Sequence, residues 1–250
     1  MTAKTSREDA FPASRILYRG ELCLAVNKIP GEAMEGAGPG MADLPKLLGE
    51  RYPPEGGGKP VLPRAVHRLD VPVSGCALFA LTEEATSFLG AAFAEGRTKK
   101  IYWVIVERPR DGLPAAGSLL NEGGELVHWL EFDRRRNRSV AFAEPGPDRQ
   151  KGILRCRLLG TGLHYLFLEI ELVTGRHHQI RAQLAALGLP VKGDLKYGAR
   201  RSEKAGGIRL HARSLDFPDP ALPGELIRVT APPPLRDNLW EDFERASAPE

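Results

Sequence analysis

The chain has 250 residues, 42% of them apolar and 27% charged, with 35 Lys and Arg against 32 Asp and Glu. This length suits one large domain or two small ones and buries about 70–75% of the unfolded surface. A formal net charge of +3 excludes histone-like binding by bulk charge, but not a nucleic-acid partner, which needs only a local positive surface.

Residues 1–14 read as a loose leader without the apolar run of a secretory signal. Short strands are expected at 15–18 and 22–27. A Gly- and Pro-rich connection follows from 31 to 58, broken by a short helix near 41–51. Residues 76–81 form an apolar strand. Thr82 then caps a helix whose apolar residues Ala85, Phe88, Leu89, Ala92 and Phe93 follow helical spacing, with Glu83 and Glu84 in the first turn and Gly96 at its end. Residues 102–106 have strand character. Further strands are expected at 127–132, 139–143, 153–159 and 164–173, the last two joined through Gly160-Thr161-Gly162. A helix runs from 177 to 187, and strands at 208–217 and 226–231 complete the pattern.

After Pro234 comes an acidic tail, residues 235–250, with five acids and one arginine from Asp237 onward. Strands outnumber helices and mostly follow one another directly. The expected class is α+β: a mixed, largely antiparallel sheet with a few helices. No apolar run is long enough to span a bilayer. The three cysteines, Cys23, Cys76 and Cys156, are far apart in sequence and read as small hydrophobes in strands, which fits a reducing cytoplasm.

Several familiar motifs fail. Gly56-Gly57-Gly58-Lys59 ends like a phosphate loop, but Pro60 follows where Ser or Thr is needed and Pro53 replaces the first Gly. Gly160-x-Gly162 has Tyr165 where a dinucleotide fingerprint needs its third Gly. His177-His178 lacks the i, i+4 spacing of a helical metal pair, so no metal site is expected. Val73-Ser74-Gly75 lacks the leading Gly of a nucleophile elbow.

Two segments concentrate reactive side chains. Val66-His67-Arg68-Leu69-Asp70 places three titratable groups in four positions, and Pro72 and Gly75 mark a sharp loop before a strand. Thr174-Gly175-Arg176-His177-His178-Gln179-Ile180-Arg181 sits where a strand turns into a helix. Ile180, Leu184 and Leu187 form that helix's apolar stripe, with Arg181 at its margin. A guanidinium so close to a buried face needs a partner, and Asp70 is a candidate. A structural ion pair and a functional one fit these residues equally.

His67-Arg68-Leu69-Asp70 followed by Ser74-Gly75 resembles the catalytic loop of the RluA family of pseudouridine synthases. The other segments resemble that family in the same order: Asn27-Lys28-x-x-Gly31, Lys100-x-Tyr102, Gly175 to Arg181, Gly193-Asp194 with Tyr197-Gly198, and Leu210-His211-Ala212. The resemblance covers residues 15–234 and implies one catalytic domain around a central cleft, without the N-terminal RNA-binding domain that many relatives carry. It implies an isomerase that converts uridine in RNA to its C-glycoside without metal or cofactor. The protein is expected to act as a monomer.

Carried over by position, Asp70 is the catalytic carboxylate, and Arg181 keeps it ionised against desolvation. Sugar attack, addition to the base and abstraction of a sugar proton are all open to such a carboxylate. Tyr102 stacks on the flipped uracil, and Arg68 fills the space the base vacates or contacts the backbone. Ile180 packs against the base, His67 supports the loop, and Lys100 and Arg176 contact the RNA. Departures from the family pattern fall at Pro30, at residues 35–40 and at Gln183, which stands where a His is common. They bear on RNA choice more than on chemistry.

The RNA surface is expected from two basic groups. The first is Arg134, Arg135, Arg136, Arg138, Arg149, Lys151, Arg155 and Arg157. The second is Lys192, Lys196, Arg200, Arg201, Lys204 and Arg209. Ribosomal RNA is favoured as substrate over tRNA. A catalytically inactive RNA-binding protein and a glycosidic-bond hydrolase are the rivals, the latter disfavoured because neither segment supplies a second carboxylate.

Overall fold

The computed structural model describes residues 11–52, 62–109, 112 and 124–247. Its contacts divide it into two compact units, Met1–Thr98 with Arg213–Pro234, and Lys99–Ala212 with Leu235–Glu250. The expected helices and strands are present within a few residues of their anticipated ends, and the class is α+β.

The first unit begins with β1 (Ile16–Arg19) and β2 (Cys23–Lys28). They pair antiparallel, with a register break between Ile16 and Tyr18. The short parallel pair β3 (Glu32–Ala33) and β4 (Ala42–Asp43) leads into α1 (Leu44–Arg51). The Asp43 side chain caps α1 by accepting from the Lys46 amide, and Pro45 sits in its first turn, where no intrahelical donor is needed. Then come β5 (Arg64–Ala65) and β6 (Ser74–Ala80), the latter antiparallel to β2 from Cys23 opposite Ala80 to Lys28 opposite Gly75. Thr82 caps α2 (Glu83–Ala94) by accepting from the Ala85 amide at 3.1 Å.

The second unit is built on β7 (Lys99–Glu107), β8 (Glu125–Asp133), β9 (Arg138–Phe142), β10 (Gln150–Thr161) and β11 (Tyr165–Leu172). They lie in the order β7-β11-β10-β8-β9, and each neighbouring pair is antiparallel. Helix α3 (Gln179–Ala186) packs on β8 and β9. The chain then runs through β12 (Leu210–Pro218) back to the first unit, where β13 (Leu226–Thr230) pairs with it antiparallel from Ser214 onward.

The first unit's core joins Cys23, Ala25, Cys76, Leu78, Leu89, Leu215, Phe217 and Val229. All three cysteines are buried, and burial pushes their thiols up to about 12, so they pack as small hydrophobes.

Near each end, the described residues depart from the sequence expectation. In the expected leader, Phe11 is fully buried, with the Arg15 guanidinium 4.3 Å above its ring. Residues 1–10 of that leader lie outside the described residues. The acidic stretch forms α4 (Asn238–Ser247). It buries Trp240 and Phe243 against Trp103, Ile105 and Phe167 of the second unit. The charge count concealed two aromatics three residues apart on one helix face. No described helix is long and apolar enough to cross a membrane.

Candidate active site

The Asp70 loop lies between β5 and β6 in the first unit. The Val73 amide donates to the Asp70 carbonyl at 2.9 Å, closing the turn at Pro72. His67 accepts from the Leu78 amide through Nε2 at 2.9 Å and stacks on Phe93 with centroids 4.8 Å apart. Its imidazole therefore ties the loop to β6 and α2. Leu69 is buried, Asp70 is half-buried and Arg68 is exposed.

Beneath this loop lies Lys28, completely buried at the end of β2. Its ammonium donates to the carbonyls of Val73 (2.6 Å), Val71 (3.0 Å) and Ile29 (3.2 Å). Burial lowers its pKa to about 8, while the carboxylates of Glu32 and Asp70 act in the opposite direction. Glu32 is gripped by a two-pronged Arg15 bond (2.5 and 2.8 Å) and accepts from the Ile29 amide at 2.9 Å. The Gly31 amide donates to the Val71 carbonyl at 2.9 Å, with Gly31 at φ +93°, a conformation suited to glycine. The Asn27–Glu32 segment is thus a cradle for the Asp70 loop. In the sequence, Lys28 stands out only as part of a motif. Its burial was signalled by its place at the end of an apolar strand.

The remaining expected site residues belong to the second unit. Tyr102 is buried on β7 opposite Ile170 of β11. Strand alternation puts Lys100 on the same side as Tyr102, while Trp103 and Ile105 serve the α4 core. Burial lowers the Lys100 pKa. Ile180 and Arg181 are buried in α3.

The Arg181 guanidinium forks onto Asp194, with Nε 2.6 Å and Nη2 2.9 Å from the two carboxylate oxygens, and lies 4.9 Å from the Tyr197 ring centroid. Asp194 and Tyr197 were recognised in sequence as motif residues, without a role. They hold the Arg181 guanidinium in place, and a bidentate charged pair is among the stronger devices for that. Arg176 is exposed, and its Nε donates to the Lys151 carbonyl at 3.1 Å.

The turn into α3 is fixed by Gln179. Its Oε1 accepts from Thr174 Oγ1 (2.8 Å) and the Arg176 amide (2.9 Å). Gly152 permits this approach, because a Cβ there would collide with Leu130 and crowd Gln179. His178 precedes the helix in a left-handed conformation, φ +50°. The adjacent histidines stack on each other with centroids 3.8 Å apart. His177 Nδ1 lies 3.0 Å from Ser139 Oγ, and His178 Nδ1 lies 3.0 Å from the Tyr197 hydroxyl. Gln183, the departure from the family pattern, is buried and donates to the Leu126 carbonyl at 3.2 Å, with His128 Nδ1 3.1 Å away.

Not all of the basic side chains counted in the sequence point to a ligand. Arg155 faces Glu171 and Arg157 faces Glu169 across the β10–β11 ladder, at 3.0 and 2.7 Å. Lys192 and Arg209 share Glu203, whose pKa their bonds hold down at about 2, and Arg209 also forks onto Asp237. The turn after β8 is different: Arg134, Arg135 and Arg136 are all exposed there. Lys196 reaches the same turn, donating to the Asn137 carbonyl at 3.1 Å. Part of the second basic group thereby joins the first.

The RNA pseudouridylate synthase family model matches residues 23–186. The ribosomal large subunit pseudouridine synthase D of Xylella fastidiosa is 30% identical over 96% of this chain and 75% of its own. The tRNA pseudouridine synthase C of Haemophilus ducreyi is 30% identical over 90% of this chain and 92% of its own. The chain spans between 52% and 67% of the length of several other curated relatives that it matches. Among solved structures, the human RNA pseudouridylate synthase domain containing 1 protein superposes with a TM-score of 0.68 at 24% identity, covering 94% of each chain, and so shares the fold. With the match spanning the Asp70 loop, β7 and the turn into α3, the chain belongs to the RNA pseudouridylate synthase family.

Proposed function

We propose that this protein isomerises specific uridines in structured RNA to pseudouridine. The C1′–N1 bond of the nucleotide breaks, a C1′–C5 bond forms, N1 gains a proton and C5 loses one, so the product has the atoms of the substrate and no redox equivalent is consumed. The observation that carries the reading is the cradle around Asp70. A carboxylate-bearing turn is held by a buried ammonium on two of its own carbonyls, in a chain of this family.

In this reading the target base leaves its stack at a cost of about a few kcal/mol. Tyr102 offers the flipped uracil a rigid aromatic surface, and Ile180 packs beside it. Asp70 is the catalytic carboxylate. Arg181, aimed by Asp194, is the catalytic guanidinium. Arg68 fills the vacated place in the stack, His67 braces the loop, and Lys100 and Arg176 contact the RNA. The enzyme works as a monomer in the cytoplasm, without metal or cofactor.

Relatives are named for both ribosomal RNA and tRNA. Ribosomal RNA is our favoured substrate, the class for which the Xylella relative is named. The test is site-by-site pseudouridine mapping of rRNA and tRNA from a strain lacking the gene against its parent. Loss of one or a few pseudouridines in rRNA is expected. Loss in tRNA alone moves the substrate, and an unchanged map supports an inactive RNA-binding protein.

A further inference from the structure

Phe132 breaks the pattern of its own strand. On β8, Leu126 and Leu130 point the same way as Phe132 and are buried beneath α3, whereas Phe132, next along that face, is 46% exposed. It is exposed but held firmly. Its ring meets His177 edge-on, with centroids 4.5 Å apart at 68°. His177 is fixed by Ser139, the residue directly opposite Phe132 in the β8–β9 ladder. Ser139 is fixed in turn by the Tyr197 hydroxyl, which accepts from its amide at 2.8 Å and donates to its carbonyl at 3.1 Å.

One residue beyond Phe132, the chain enters the turn with Arg134, Arg135 and Arg136, where Lys196 also arrives. Asp133 offsets one of these charges: its carboxylate lies 3.9 Å from the Arg136 guanidinium and accepts from the Arg136 amide at 3.1 Å. An immobilised, half-exposed ring beside several cations suits a nucleotide: the base stacks on the ring and the phosphates meet the guanidinium groups. His177 stands in the turn just before α3, four residues ahead of Arg181 in sequence, so the base bound here is taken to be a neighbour of the target rather than the target itself.

We infer that the tip of the β8–β9 hairpin is a second nucleotide subsite, taking an unstacked RNA base on Phe132 and its phosphates on Arg134, Arg135 and Arg136. This rests on the reading that the protein acts on RNA. The test titrates the full chain with a single-stranded oligouridylate of about 12 nucleotides carrying one 2-aminopurine. Three variants are compared with the unaltered protein: Phe132→Leu, Phe132→Trp and the triple Arg134→Ala, Arg135→Ala, Arg136→Ala.

The unaltered protein and Phe132→Trp should bind and quench the fluorescent base. Phe132→Leu should bind about tenfold more weakly, the equivalent of 1.4 kcal/mol, and lose most of the quenching, with its thermal unfolding unchanged. The arginine variant should flatten the slope of log affinity against log salt by about 2 while still quenching at low salt. Phe132→Leu that binds and quenches like the unaltered protein overturns the subsite alone. No binding of the oligouridylate by the unaltered protein also overturns the subsite, whereas an unchanged pseudouridine map is what overturns the reading of the enzyme as a pseudouridine synthase.

Discussion

Lys28 carries an unusual load for a single side chain. Three carbonyls, two of them from the Asp70 loop, share one ammonium that has no access to water. Its pKa is near 8 rather than the ordinary 10.5 because burial disfavours the charged form. Between these two values the unfolded chain binds more protons at this group than the folded one. Its contribution to stability therefore rises with pH across the window from 8 to 10.5 and is least favourable below 8.

Lys28→Met should abolish that rise, read as urea midpoints at pH 7 and pH 10, and should cost about 2–4 kcal/mol at neutral pH by orphaning buried carbonyls. A Met variant with the pH response of the unaltered protein contradicts this account. Arg181 is a parallel case. Asp194→Asn removes the charge from a buried fork and should lower stability by about 3 kcal/mol, with a further fall in kcat as the guanidinium loses its aim. An Asp194→Asn enzyme with unchanged stability and kcat contradicts that role.

At the scale of elements, the sequence was most informative where local pattern decides structure. Thr82, Glu83 and Glu84 announced α2, and alternation with Gly160-Thr161-Gly162 announced β10 and β11. It was least informative where strand register decides. Arg155 and Arg157 counted as RNA-binding charge until the ladder placed Glu171 and Glu169 opposite them. Nothing local to residues 150–161 encodes that pairing.

The helix α4 was hidden differently, because acids that solvate its outer face outnumber the two aromatics that anchor it. Trp240 packs against Phe243 and lies 5.7 Å from the Arg209 guanidinium. Trp240→Ala should therefore cost about 3–5 kcal/mol, measured by chemical unfolding. A loss below 1 kcal/mol shows that α4 is dispensable to the second unit.

For the molecule as a whole, the residues of the Asp70 loop and of the turn into α3 were legible in the sequence through their motifs. What holds them was not, since Lys28, Asp194 and Tyr197 act through contacts that short-range spacing does not reveal. The net charge of +3 concealed an uneven distribution. Buried and cross-strand ion pairs neutralise several arginines, and a hairpin tip keeps its positive charge exposed.

We propose that Asp70 is the carboxylate of a uridine-isomerising enzyme. The most direct test returns to the deletion strain either the unaltered gene or Asp70→Ala and maps pseudouridine in its rRNA and tRNA. The unaltered gene should restore the missing pseudouridine. Asp70→Ala, expressed and folded to the same level, should restore none. Full restoration by Asp70→Ala contradicts the account.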